Sequence, residues 1–166
     1  AISQTSVPPN TSVRGYFFGQ RKLTQERRLF MRFFQNFLPE NHTTNTHKNF
    51  KEGRADSITI HWTGPFPEQS PWNIYNWFER VGNEASAHFC IKNDVCMQFV
   101  PIHRTAWHCG HPVGNATSIG IEVIPTNKSG DFSQASKKTL KELLSILPPL
   151  PLVRHYDWSG KIRKTC

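Results

Sequence analysis

The stretch TSIGIEVI, residues 117–124, is predicted to form a largely buried β-strand. The run is mostly apolar and rich in β-branched residues, a composition typical of strands. The one ionisable side chain within this run belongs to Glu122. Because a carboxylate is costly to bury without a partner, Glu122 is predicted to be either paired or functional.

Segments on both sides of this stretch extend the predicted sheet. Strand patterns, with β-branched or alternating apolar residues, occur at residues 57–62, 86–91, 95–99 and 152–155. The first of them, SITIHW, is predicted to end near His61, and the last near His155. The second and third flank a polar turn at residues 93–94, which predicts a hairpin.

Two helices are predicted between these strands. Ser70 followed by Pro71 is typical of a helix start, and this helix is expected to run through about Arg80. Ser133 is predicted to cap a second helix with an apolar stripe of leucines, which ends at the proline pair 148–149. Both helices are long enough to cover part of a sheet.

A further helix is predicted at about residues 22–38, where phenylalanine and leucine recur at three- and four-residue spacing. Its aromatic face is expected to pack on the domain core, and an amphipathic membrane-surface anchor stays open as an alternative. Residues 1–50 are interpreted as an N-terminal lead-in that contains this helix, ahead of a domain at residues 51–166. His42 and His47, in a polar loop, are interpreted as solvated.

The alternation of strands and helices lacks strict βαβ repetition. It therefore predicts an α/β fold in which a central mixed β-sheet is flanked by helices. The length of 166 residues fits a single domain. Cys90 and Cys96 flank the predicted turn and could pair in an oxidising compartment. Disulfide geometry is demanding, so the sequence alone leaves this disulfide open.

The composition limits the classes of partner. Lys and Arg number 20 and Asp and Glu 12, a formal net charge of +8 that favours nucleic acid, a wall polymer or an anionic membrane surface. No RNP, helix-turn-helix or zinc-finger spacing occurs, so nucleic acid is not expected. No apolar run approaches the ~20 residues that span a bilayer, and the polar first residues show no signal peptide.

Three side chains form a candidate zinc site. His61 and His155 lie at the ends of predicted strands, where side chains from distant parts of a chain converge on one cleft. Cys166 adds a thiolate. Two imidazoles and a thiolate suit zinc, which keeps a fourth position for water in catalytic sites. A structural role for either histidine stays open on spacing alone.

Two further side chains supply the chemistry that such a site needs. Glu122 is a candidate general base beside a metal, and a structural salt bridge stays open as the alternative. Lys164, two residues before Cys166, lies on the same side if that segment is extended, where its ammonium group would stabilise an oxyanion. Lys161 is a rival for this role.

Five motifs carry a family resemblance. They are ITIHWTG at 58–64, SAHFCIKND at 86–94, AWHCG at 106–110, TSIGIEVI at 117–124 and RHYDWSGKIRKTC at 154–166. In this order they resemble the zinc-dependent N-acetylmuramoyl-L-alanine amidases of the type 2 family, related to peptidoglycan recognition proteins and phage lysozyme-type amidases. The resemblance implies the fold of that family, with residues 51–166 as the catalytic domain.

The resemblance also implies a role for each candidate residue. His61, His155 and Cys166 would bind one Zn²⁺, with Glu122 as catalytic acid and base and Lys164 as oxyanion stabiliser. His88 and His108 match positions that line the cleft without binding metal, and a core role for each stays open. Trp62, Trp72 and Trp107 are candidates for stacking on sugar, or for the core.

The implied function is hydrolysis of the amide between N-acetylmuramic acid and L-alanine in peptidoglycan, by a monomer that acts at the bacterial cell wall. A non-catalytic peptidoglycan-binding module and a thiol-nucleophile hydrolase are the alternatives. Glu122, with Ala87 where some members have tyrosine, is similar to the branch that uses glutamate. Members usually continue past the metal cysteine, so a catalytic domain truncated at its C-terminus is expected.

Overall fold

The computed structural model describes residues 30–39, 50 and 54–159. These residues form a six-stranded mixed sheet in the order β1-β4-β3-β5-β2-β6. The strands are β1 (Arg32–Gln35), β2 (Ser57–Trp62), β3 (Phe89–Lys92), β4 (Val95–Gln98), β5 (Ser118–Val123) and β6 (Leu152–Arg154). Strands β2, β3, β5 and β6 run in one direction, whereas β4 is antiparallel to β3 and parallel to β1. The predicted mixed sheet is confirmed.

Helices cover the sheet, and two of them begin where the sequence predicts. The helices of the described residues are α1 (Pro71–Phe78), α2 (Pro112–Thr117), α3 (Gln134–Ile146) and α4 (His155–Ser159). Ser70 caps α1 in a reciprocal capping box with Asn73, and Ser133 caps α3. The short helices α2 and α4 were not predicted. No helix in the described part of the chain is long and apolar enough to cross a membrane.

The sheet separates two apolar clusters. On one face Ile58, Ile91 and Ile121 pack with Leu143 of α3. On the other face Cys90 and Met97 pack with side chains of α1. Helices therefore lie on both sides of the central strands, which explains why β5 is largely buried on both faces.

The alternation of side chains along β3 and β4 keeps their two cysteines apart. Cys90 lies opposite Met97, and Cys96 lies opposite Ile91. Because successive residues of a strand point to opposite faces, the two thiols lie on different sides of the sheet. Both are free and buried, and burial raises the pKa of each thiol. The disulfide that the sequence left open is therefore absent between these two residues.

The helix predicted at about residues 22–38 is wrong for the described part of that segment. Residues 32–35 form strand β1, an edge strand that pairs with β4, while residues 22–29 lie outside the described residues. Long-range partners fix this conformation. Arg32 forms an ion pair with Asp94, at 2.6 Å between Nε and Oδ2, and the Glu142 carboxylate accepts the backbone N–H of Met31 at 2.8 Å.

The aromatic residues of this segment do not form the expected core face. Phe33, Phe34 and Phe37 are 40%, 43% and 46% exposed, whereas Met31 and Leu38 are buried. Aromatic residues also have high strand propensity, so the same sequence suits an edge strand once β4 offers backbone partners. The tertiary pairing therefore overrides the local helical period.

Hydrogen exchange distinguishes the strand from the predicted helix. The backbone N–H groups of Arg32, Asn36 and Leu38 donate to carbonyls on the β4 side, at 2.6, 2.9 and 2.8 Å. We expect slow amide exchange at these residues and fast exchange at Phe33 and Gln35, whose N–H groups alternate to the other edge. Residue-resolved NMR measures this pattern. Uninterrupted protection from Phe33 through Leu38 would contradict the strand.

Candidate functional site

One row of side chains crosses the sheet on the face that carries α1. In the parallel register His61 of β2 lies beside Glu122 of β5, and Glu122 lies beside Cys90 of β3. On the other side of β2, Ile60 is paired with Arg154, so His155 follows at the level of His61. The sheet therefore places two predicted ligands and the predicted base next to one another, as expected from the sequence.

The imidazoles of His61 and His155 converge. The two side chains are 3% and 5% exposed, and their Nδ1 atoms lie 3.0 Å apart. Two nitrogens bound tetrahedrally to one zinc, each at about 2.0–2.1 Å, would lie roughly 3.3 Å apart. The two rings thus fit a shared zinc ion with a small adjustment.

A complete ligand set is not contained in the described residues. Within residues 30–39, 50 and 54–159, no group of three His, Cys, Asp or Glu side chains is placed to hold a metal. The third predicted ligand, Cys166, lies outside these ranges, as do Lys161 and Lys164. His42 and His47 also lie outside them. The described part of the site is a pair of imidazoles beside a carboxylate.

His108 contacts the other ring nitrogen of His61. His61 Nε2 lies 2.9 Å from His108 Nδ1, and His108 Nε2 lies 3.2 Å from the Ser118 carbonyl oxygen. The His108 ring rests on Gly120, where a Cβ would come within 2.4 Å of His108 Cγ. Only a residue without a side chain leaves room for this ring. The three histidines therefore form one buried chain of rings.

A second hydrogen-bond chain fixes helix α4, which begins with His155. The indole N–H of Trp158 donates to Thr59 Oγ1 at 2.9 Å, and the Thr59 hydroxyl donates to Ser118 Oγ at 2.9 Å. The Ser118 hydroxyl donates in turn to the Gly114 carbonyl at 2.6 Å. Each hydroxyl hydrogen has one acceptor, so Trp158 is held on β2 and β5. This contact positions the start of α4 beside His61.

Glu122 is enclosed next to His61. Its side chain is partly buried, and its Oε2 atom has no hydrogen-bond partner among the described residues. Burial raises the pKa of this carboxyl from 4.5 to about 8, because the charged form loses its hydration. The structural salt bridge that the sequence left open is therefore not formed within the described residues. A carboxyl with this pKa exchanges protons near neutral pH.

Burial lowers the pKa of His61 and of His108, whereas it raises that of Glu122. Desolvation, with smaller contributions from His108 and His155, lowers the pKa of His61 well below 6.5. Desolvation also lowers the pKa of His108 to about 4. Both rings are therefore neutral at neutral pH. Neutral imidazole is the form that binds a metal ion.

His88 is part of the interior. It is 0% exposed; its Nε2 donates to the Arg104 carbonyl at 2.7 Å and its Nδ1 accepts the Gly120 N–H at 2.9 Å. This environment supports the core alternative that the sequence left open. His108 is 8% exposed and also lies in a hydrogen-bond chain.

The tryptophans differ in their surroundings. Trp62 follows His61 and is partly exposed, with its ring 3.2 Å from the position that a Cβ on Gly130 would occupy. Trp107 is partly exposed, and its backbone N–H donates to Ser86 Oγ at 2.9 Å. Trp72 of α1 is 51% exposed. All three therefore keep some surface for contact with a ligand.

Sequence reasoning missed the contacts that position the two imidazoles. The role of His108 as a partner of His61, and the anchoring of α4 by Trp158, depend on the three-dimensional packing. One signal was available, since Gly120 interrupts a run of β-branched residues. Glycine inside a strand often marks a close approach by another group.

Comparisons with known proteins identify the family and the fold. The profile of the family Amidase_2, described as N-acetylmuramoyl-L-alanine amidase, matches residues 51–166. The chain belongs to the Amidase_2 family. The resemblance seen in the sequence motifs is therefore confirmed, and so is the family's α/β fold.

Individual relatives of this Amidase_2 chain come from Bacillus subtilis strain 168. The chain is 31% identical to the N-acetylmuramoyl-L-alanine amidase CwlA over 117 residues, 65% of this chain and 42% of CwlA. It is 32% identical to the amidase CwlH over 115 residues, 63% of this chain and 45% of CwlH. The match thus spans less than half the length of these curated relatives.

A solved structure shares the architecture. The mutant endolysin from Bacillus subtilis superposes with a TM-score of 0.57 and 26% sequence identity. The superposition covers 79% of this chain and 88% of the endolysin chain. The likeness therefore extends over most of both chains.

The raised pKa of Glu122 predicts how stability depends on pH in the metal-free chain. The folded-state pKa of about 8 exceeds the ordinary 4.5, so this group's stabilisation is complete below about pH 4.5 and is lost as the pH rises to about 8. Relative to Glu122→Gln, the wild type should lose stability over this interval. Urea unfolding of both proteins with a chelator present measures the difference. A pH-independent difference would contradict the burial of this carboxyl.

Proposed function

We propose that this Amidase_2 chain is a zinc-dependent hydrolase of the amide bond between N-acetylmuramic acid and L-alanine in peptidoglycan. The observation that carries the proposal is the convergence of the His61 and His155 Nδ1 atoms, 3.0 Å apart, in the row that contains Glu122. Family membership and the amidase names of CwlA and CwlH support the reaction.

One Zn²⁺ would be held by His61, His155 and Cys166. Both imidazoles are buried and the His61 ring is neutral at neutral pH, which suits this pair to bind metal, and the sequence supplies the thiolate. The bound ion would polarise the scissile carbonyl and acidify a water molecule. The protein's own contribution is to hold the rings in place through His108 and Trp158.

Glu122 would act as the catalytic acid and base. As a carboxylate it takes a proton from the attacking water, and as a carboxylic acid it returns that proton to the leaving nitrogen. Its enclosed Oε2 atom and raised pKa support this role. The ammonium group of Lys164 would stabilise the oxyanion that forms during attack.

The substrate would lie in the cleft beside these groups. We assign Trp62 and Trp107, which are partly exposed, to contacts with the muramyl peptide. His108 would support the base of the cleft through its contact with His61, and His88 packs against His108 in the interior. The formal charge of +8 favours anionic wall polymers, so the site of action would be the bacterial cell wall. The protein would act there as a monomeric autolysin or endolysin.

Peptidoglycan digestion tests the assignment of Glu122. Glu122→Gln removes the group that exchanges protons and keeps its size, so we expect the amidase rate to fall on the order of 10²- to 10⁴-fold. The measurement is the release of free L-alanine amino termini from purified peptidoglycan. A chelator should abolish activity of the wild type, and added zinc should restore it.

The products distinguish this proposal from other wall hydrolases. New L-alanine amino termini without new reducing sugar ends support amidase activity. Reducing ends, or full activity of the Glu122→Gln protein, would refute it. Activity that survives the chelator and requires Cys166 would identify a thiol-nucleophile hydrolase, whereas binding without cleavage would identify a peptidoglycan-binding module.

Cobalt substitution tests the assignment of Cys166. A thiolate bound to Co²⁺ gives a charge-transfer absorption band, so the cobalt-loaded wild type should show this band and Cys166→Ala should lack it. Cys96→Ala is a matched control, because Cys96 is buried on the opposite face of the sheet from His61. A band that is lost in Cys96→Ala but kept in Cys166→Ala would exclude Cys166 as a ligand.

A further inference from the structure

The hydrogen-bond partners of His61 determine which of its two ring nitrogens carries the hydrogen. We infer that His108 is a positioning residue that places the proton of His61 on Nε2, so that the Nδ1 lone pair faces His155 and a shared metal ion. This inference rests on the proposed function, because it concerns how the proposed ligand is oriented. His108 itself would touch neither the metal nor the substrate.

The direction of the hydrogen bonds starts at Ser118. Its carbonyl oxygen, 3.2 Å from His108 Nε2, can only accept, so His108 carries its proton on Nε2. The Ser118 hydroxyl also lies 3.4 Å from this nitrogen. That hydroxyl donates its single hydrogen to the Gly114 carbonyl at 2.6 Å, so it is not a donor to His108. His108 Nδ1 is therefore left with a lone pair.

The same reasoning passes from His108 to His61. The lone pair on His108 Nδ1 lies 2.9 Å from His61 Nε2, which must therefore carry a hydrogen to form this bond. A neutral imidazole has one N–H group, so His61 Nδ1 is an acceptor. This atom lies 3.0 Å from His155 Nδ1. The chain of rings thus turns the metal-binding nitrogen of His61 toward the second ligand.

Several contacts hold His108 in place. The Asn115 side-chain oxygen accepts the backbone N–H of His108 at 3.0 Å and that of Cys109 at 3.0 Å. Gly120 provides the surface on which the ring lies. The ring is therefore fixed from its backbone and from the sheet. Groups that orient a metal ligand in this way typically change metal affinity by about 10- to 100-fold.

Two substitutions of nearly equal shape separate orientation from packing. His108→Asn keeps an oxygen acceptor close to the position of Nδ1, whereas His108→Leu removes the acceptor. We expect zinc affinity, measured by competition with a chromophoric chelator, to fall about 10- to 100-fold in the leucine variant. The asparagine variant should recover most of this loss. Equal affinities of the leucine variant and the wild type would overturn the inference.

The zinc-loaded wild-type chain offers a test that does not depend on a variant. In ¹⁵N-labelled protein, long-range ¹H–¹⁵N spectra identify which ring nitrogen carries hydrogen. We expect hydrogen on Nε2 of both His61 and His108, with the metal on Nδ1 of His61. Hydrogen on His61 Nδ1, or metal on its Nε2, would overturn the inference even if His108→Leu fails to fold.

Gly120→Ala provides an independent perturbation. The added Cβ would come within 2.4 Å of His108 Cγ, so the ring must move although no hydrogen-bonding group is removed. We expect weaker zinc binding, again by up to about 100-fold. Unchanged affinity would overturn the inference. Failure of the wild type to bind zinc would instead refute the proposed function, so the two outcomes are distinguishable.

Discussion

The arrangement of this site depends on the two ring contacts of His61. A buried imidazole is costly unless its nitrogens are hydrogen-bonded, and His61 meets this requirement with His108 on one side and His155 on the other. Both contacts depend on the parallel register that places β2 between β5 and β6. The site is therefore built on adjacent strands, which hold side chains more rigidly than loops do.

Two glycines make this construction sterically feasible. Gly120 lies under the His108 ring, and Gly114 lies where a Cβ would come within 2.5 Å of Cys109 Sγ and 2.7 Å of Trp158 Cδ2. Glycine weakens a strand or a helix, so local propensity alone would disfavour both residues. The hydrogen-bond chains from His108 and Trp158 converge near Ser118, which lies between these glycines in sequence. The two glycines thus lower the local stability of the helix and the strand that contain them, and they leave the space that close packing of the site requires.

The parts of the fold that sequence predicted correctly are those with local causes. SITIHW alternates, and Ser70 and Ser133 are caps, so β2, α1 and α3 follow from neighbouring residues. Strand β1 was missed because its partners are distant: Arg32 bonds Asp94, 62 residues away, and Met31 bonds Glu142, 111 residues away. Strand ends indicated His61 and His155, whereas Glu122 was indicated by its place inside an apolar run. The ring contact of His108 has no periodic signal, because the residue lies in the segment between β4 and β5.

Burial makes the charged form of Glu122 unfavourable, and it also determines when this group could act as a base. In the metal-free chain the raised pKa of about 8 keeps this carboxyl mostly protonated at neutral pH, and a protonated carboxyl is a poor base. A cation held by His61 and His155 would lie in the same row and would favour the carboxylate, because opposite charges stabilise each other strongly where water is excluded. In the proposed site, metal binding and base strength would therefore be coupled through electrostatics. The neutral rings of His61 and His108 add no positive charge of their own, so neither ring would replace the metal in this coupling.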